Sequence, residues 1–94
     1  MFYSAFTGST SLGNAAWSIA QMIYREFNVV GDVTALYISI LNKFKQISST
    51  LNGDISWNEL GLIIGDLSKF LISIVPTARL SDLVTLLWSS SSIL

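Results

Sequence analysis

The stretch that decides the fold is SWNELGLIIGDLSKFLISIVP, Ser56 to Pro76. Its apolar side chains recur every three or four residues, which is the spacing that places side chains on one face of an α-helix. They are Leu60, Ile63, Ile64, Leu67, Phe70, Leu71 and Ile74. Ser56 and Glu59 have the S-x-x-E spacing of a capping box, and Pro76 cannot continue a helix. The pattern therefore predicts a helix over Trp57–Val75.

The rest of the chain contains three more segments with helical periodicity. The first extends from about Ser11 to Phe27, and its apolar side chains cover more than half of the helix circumference. The second extends from about Val33 to Ile47 after a turn at Gly31-Asp32, with Thr34 expected as its capping residue. The last extends from about Ala78 to Ser89. Four amphipathic helices predict an all-α protein folded as a small helical bundle.

Length and composition limit the architecture. The chain has 94 residues, enough for one domain, and 51% of them are hydrophobic while only 12% are charged. Soluble domains average about 25% charged residues. The apolar surface therefore exceeds what one small core can bury, so we expect a homo-oligomer, a protein partner or a membrane interface.

We expect a single helical domain over residues 1–94, with a leading aromatic segment at 1–10 and a frayed tail at 90–94. The leading segment contains Phe2, Tyr3 and Phe6. Three aromatic residues among six are rare in a disordered tail. They are therefore expected to pack on the domain, on a neighbour or on a membrane.

The residue types that the chain lacks exclude several kinds of chemistry. There is no cysteine and no histidine. Disulfides, sulfur-bound metals and Ser–His or Cys–His nucleophiles therefore cannot be assembled from this chain. Five basic and six acidic residues give a net charge of −1, and without a basic stripe the chain has no electrostatic footprint for nucleic acid. We expect a protein that is not an enzyme and that binds no cofactor.

Candidate interface residues lie on three of the predicted helices. Trp17 and Tyr24 are seven residues apart on the first helix and point away from the centre of its apolar face. Gly61 and Gly65 lie one turn apart inside the third helix, where each glycine costs about 1 kcal/mol relative to alanine. They suit the close approach of another helix. Random sequence drift at positions without a packing role would leave the same pattern. Trp88 broadens the apolar face of the last helix.

The segment that precedes the third helix, SSTLNGDISWNE at residues 48–59, has the spacing of a calcium loop. An EF-hand loop places oxygen ligands at positions 1, 3, 5, 9 and 12, with glycine at position 6. Gly53 falls on position 6 of this segment, and Ile55 falls on the aliphatic position 8. The chain thus resembles the EF-hand family over Ile40 to Leu67. The resemblance implies a helix-loop-helix with candidate calcium ligands at Ser48, Thr50, Asn52, Asp54, Ser56 and Glu59.

The same segment departs from the family at its charged positions. Ser48 and Thr50 stand where the family places aspartates, so only Glu59 would bring a formal charge to the ion. Calcium affinity depends on ligand charge, and one carboxylate predicts weak binding at best. The Asn52-Gly53 dipeptide is also a strong turn signal. The sequence therefore favours a plain interhelical turn, with an EF-hand-like but ion-free helix-loop-helix and a weak calcium loop as the alternatives.

These properties predict a non-enzymatic helical interaction or assembly protein that buries apolar helix faces against itself or a partner, for example as a small structural subunit. The first alternative is a membrane-active helical protein, bacteriocin-like or pore-associated, with Trp17, Trp57 and Trp88 at the interface. The second alternative is a weak calcium-binding, EF-hand-like module.

Overall fold

The structure, a computed structural model, describes residues 11–29, 31–51 and 55–90. These residues form four helices, α1 (Leu12–Glu26), α2 (Val33–Ser48), α3 (Trp57–Ile74) and α4 (Leu80–Ser90). The predicted all-α class is confirmed, and each described helix begins and ends within two residues of its predicted bounds. The leading aromatic segment and residues 91–94 of the predicted tail lie outside the described residues, whereas Ser90 is part of α4.

Side-chain caps determine where three of the helices begin. Ser11 caps α1 and accepts a hydrogen bond from the backbone N–H of Asn14 at 3.4 Å. Asp32 caps α2, and its carboxylate accepts from the N–H of Thr34 at 2.9 Å. The expectation that Thr34 caps α2 was wrong. Asp32 has the extended backbone of a cap residue, whereas Thr34 already lies within the helix.

The predicted capping box is present at the start of α3. Ser56 is the N-cap, and its Oγ accepts from the N–H of Glu59 at 3.2 Å. The Ser56 hydroxyl in turn donates to Oε1 of Glu59 at 3.1 Å. The return bond of this box thus comes from the cap hydroxyl, whereas the standard box uses the cap backbone N–H.

The connection between α1 and α2 needs two residues with positive φ. Asn28 has φ 48°, the left-handed conformation in which asparagine commonly ends a helix. Gly31 has φ 114°, a conformation that side chains disfavour. The Tyr24 hydroxyl donates to the carbonyl oxygen of Gly31 at 2.9 Å and holds the turn against α1.

The core forms where the apolar faces of the four helices meet. Its largest fully buried side chains are Ile19, Ile23, Ile40, Phe44, Leu60, Ile64, Leu67, Leu71, Val75, Leu83 and Leu87. The helix α1 packs most closely on α2. The buried faces of α1 include Ala15, Ala16 and Ala20, whose small side chains allow this close approach.

The helices α3 and α4 form the second closely packed pair. Trp57, the first residue of α3, stacks on Trp88 near the end of α4. The short Val75–Arg79 connection joins the opposite ends of the two helices, so they run antiparallel. Contacts such as Lys43 of α2 over the Phe70 ring of α3, at 5.7 Å from its centroid, link the two pairs. The bundle therefore directs one face of each helix inward and leaves the other outward.

Candidate interaction surface

Six large apolar side chains remain exposed among the described residues. They are Trp17, Ile38, Trp57, Leu62, Leu80 and Trp88. Leu62 and Trp57, both on α3, are the most exposed, at 71% and 68%. Every buried side-chain polar atom in the described part of the chain has a hydrogen-bond partner. The features that call for a functional explanation therefore lie on the surface.

Two tryptophans form a stacked pair where α3 begins and α4 ends. The ring centroids of Trp57 and Trp88 are 6.2 Å apart, and the ring planes differ by 23°. The Cζ2 atom of Trp88 lies 4.0 Å from the position that a Cβ would occupy at Gly61. This is an ordinary van der Waals distance, so the ring of Trp88 would also accommodate a Cβ at Gly61.

The second glycine of α3 has no such neighbour. No heavy atom of the described residues lies within 4 Å of a Cβ built at Gly65. Among the described residues, and leaving aside the neighbouring backbone of α3 itself, Gly61 therefore has a tryptophan ring near its Cβ position and Gly65 has open space. The close helix approach expected at these glycines remains a prediction about contacts beyond the described residues.

A second aromatic pair lies between α1 and α2. Trp17 and Tyr37 meet edge to face, with ring centroids 5.3 Å apart and planes at 80°. Trp17 keeps 39% of its surface exposed. Tyr24, the other residue predicted on this side of α1, is half-buried and bonds to Gly31, so its observed contact stabilises the turn.

The candidate calcium ligands are described only in part. Asn52 and Asp54 lie outside the described residues. Thr50 donates its hydroxyl hydrogen to the carbonyl oxygen of Ile47 at 2.7 Å. The oxygens of Ser56 and Glu59 bond to each other in the capping box. Within the described ranges, no group of three or more His, Cys, Asp or Glu side chains is placed to hold a metal ion.

A groove of about 600 Å³ lies between α1 and α4. Arg25 and Glu26 of α1 and Asp82 of α4 bring both signs of charge to its lining, and Leu86 adds an apolar wall. One positive and two negative side chains leave the lining with a formal charge of −1, which gives the groove no strong preference for an anion or a cation.

Sequence reasoning missed the exposure of Leu62. A signal for it exists in the sequence, because Asn58, Leu62, Gly65, Lys69 and Ile72 are separated by four, three, four and three residues. This spacing places them along one side of α3, and it is the spacing with which helices pair in coiled coils. The side is distinct from the core-facing arc of the same helix.

The fold and surface define an all-α, four-helix chain with aromatic and aliphatic side chains exposed on its outward faces. Comparison with protein-family models, with curated proteins and with solved structures found no match to this chain. None of the helices within residues 11–29, 31–51 and 55–90 combines the length and the apolar character that crossing a bilayer requires.

Proposed function

We propose that this chain is a non-enzymatic helical assembly protein, whose outward apolar side chains are covered by another copy or by a partner protein. The observation that supports it best is the exposure of Trp57 and Leu62, at 68% and 71%, on a helix whose other face is fully packed. Exposed apolar groups rimmed by polar residues are typical of interaction sites. Asp66 and Lys69 supply such a rim on α3.

The free energy available from burying exposed apolar side chains supports the same proposal. Burying a large apolar side chain contributes roughly 1.5–3 kcal/mol, and tryptophans are enriched among the residues that dominate binding energy. Trp57 and Leu62 lie five residues apart, about 140° around α3, so covering either one would supply on the order of 1.5–3 kcal/mol before the cost of association. The net charge of −1 opposes the approach of two copies only weakly.

The experiment compares the wild type with a double variant, Trp57→Gln with Leu62→Gln, by light scattering after size-exclusion chromatography. We expect the wild type to exceed the monomer mass of 10.3 kDa, and the double variant to shift toward that mass. A matched control, Asn42→Gln with Gln46→Asn, changes exposed polar residues of α2 and should leave the mass unchanged. A wild type that stays monomeric, with or without detergent, and binds no partner protein would contradict the proposal.

A membrane interface is the second candidate function. It is favoured by the exposure of all three tryptophans, since Trp17 and Trp88 are each 39% exposed and Trp57 is 68% exposed. Tryptophan prefers the boundary between lipid and water. Flotation with neutral and with anionic vesicles tests it. Protein that floats with vesicles and returns to the soluble fraction after Trp57→Gln supports this candidate, and complete recovery without lipid rejects it.

A further inference from the structure

The outward side of α3 carries a pattern suited to pairing with another helix. Asn58, Leu62, Gly65, Lys69 and Ile72 follow the alternating four- and three-residue spacing of a coiled-coil seam. Ile72, at one end of this side, is half-buried and packs against the core of the chain, whereas Leu62 near its middle is exposed and lies off the buried arc of α3. A helix with two faces suited to packing can pack within its own bundle through one face and against a neighbouring molecule through the other.

Near the middle of this outward side of α3, an exposed side chain and an unfilled space lie one helical turn apart. Leu62 projects into solvent with 71% of its surface exposed. At Gly65, no heavy atom of the described residues lies within 4 Å of a Cβ position. A leucine from a facing helix could enter this space and contact the backbone of α3 directly.

The charges of α3 determine which facing helix fits. Glu59 precedes Ile64 by five residues and Lys69 follows it by five, and both charged side chains are exposed. A second α3 that runs antiparallel, with a two-fold axis beside Ile64, would place each Glu59 opposite a Lys69. The same axis would place each Leu62 beside the opposite Gly65. A parallel second copy would instead bring like charges together.

We propose that a second copy of this chain packs on the outward side of α3, antiparallel and two-fold symmetric, with Leu62 against Gly65 and Glu59 opposite Lys69. This inference rests on the proposed function and names the partner. Symmetric dimers that use the same patch twice are the commonest soluble oligomers. The contact spans one helix of 18 residues, about 27 Å at 1.5 Å per residue. Such a small contact belongs to the size class of weak, reversible interfaces.

Reversing the charges of Glu59 and Lys69 tests the antiparallel arrangement. Lys69→Glu and Glu59→Lys should each raise the dissociation constant at least tenfold, because each places like charges opposite one another. An equimolar mixture of the two variants should dimerise as the wild type does, because both facing pairs again have opposite charge. The readout is sedimentation velocity, and circular dichroism checks that each variant keeps its helices.

Two further variants keep the test decisive if Glu59→Lys unfolds by losing its cap. Leu62→Glu changes an exposed residue and should abolish the dimer without lowering helicity. Lys45→Glu makes the same charge change on the exposed side of α2 and should leave the dimer intact. Self-association that neither Leu62→Glu nor Lys69→Glu weakens would overturn the α3 interface and leave the proposed function standing. A wild-type chain that remains monomeric and binds no partner would overturn both.

Discussion

Gly31 shows how one backbone angle shapes the first helix pair. Its φ of 114° turns the chain toward α2, and its carbonyl oxygen accepts the hydrogen bond from Tyr24. A side chain at this position would be strained even though, apart from its chain neighbours, no atom of the described residues lies within 4 Å of its Cβ position. The strain comes from the backbone angle alone.

We therefore expect Gly31→Ala to lower the free energy of unfolding by roughly 1–3 kcal/mol. Gly65→Ala is the matched control, because Gly65 lies within α3 and has open space around it. In dilute protein, this control should raise the free energy of unfolding by up to about 1 kcal/mol. Urea denaturation measures both, and equal effects of the two substitutions would contradict the role given to the angle.

At the residue scale, the sequence predicted what depends on near neighbours. The pairing of Ser56 with Glu59 is local, so its spacing was sufficient to locate the start of α3. Asp32 and Thr34 are both good capping residues two positions apart, and composition alone does not distinguish them. The exposure of Leu62 depends on where the other helices lie, so it required the three-dimensional structure.

At the scale of elements, an N-cap stabilises the helix that follows it, and the cap of α3 offers the simplest test. Ser56→Ala removes the acceptor for the N–H of Glu59 and should lower the free energy of unfolding by about 1 kcal/mol. Ser73→Ala is the control, since this exposed serine lies near the other end of the same helix and caps no N–H. Its effect should stay within about 0.5 kcal/mol. Chemical denaturation with circular dichroism detection compares the two, and indistinguishable midpoints would count against the capping role.

The packing of α2 into the core gives a larger expected effect. Phe44 is fully buried, so Phe44→Ala should lower the free energy of unfolding by roughly 3–5 kcal/mol. Leu62→Ala removes an aliphatic side chain that is mostly exposed, and in dilute protein it should change stability by less than about 1 kcal/mol. Thermal and urea unfolding measure both variants. A small effect at Phe44 would show that α2 does not pack as described.

At the scale of elements, hydrophobic periodicity predicted all four described helices, because it depends only on the spacing of apolar residues along the chain. It did not predict which helices pair most closely. Pairing depends on contacts between residues that are distant in sequence, such as Trp17 of α1 against Tyr37 of α2. The contact between Trp57 and Trp88 is of the same kind, since it joins residues 31 positions apart.

For the whole molecule, low charge and exposed apolar side chains make association the expected behaviour. A protein that associates in its folded state gains stability as its concentration rises. We therefore expect the midpoint of thermal unfolding to increase with protein concentration in the wild type. It should be independent of concentration in the Leu62→Glu variant. A constant wild-type midpoint over the same range would indicate that folding and association are not linked.

At this scale the sequence predicted the surplus of apolar residues but not its location. Composition counts apolar residues without showing which of them the core buries. The structure places the largest exposed fractions on Trp57 and Leu62 of α3, and it leaves the interface role of these residues as a proposal.

Sedimentation equilibrium of the wild-type chain, over a dilution series with and without detergent, tests the central claim most directly. The account predicts a mass above 10.3 kDa in concentrated protein, with a reversible decrease on dilution or when detergent covers the apolar side chains. A single species of monomer mass at every concentration, unchanged by detergent, would contradict it.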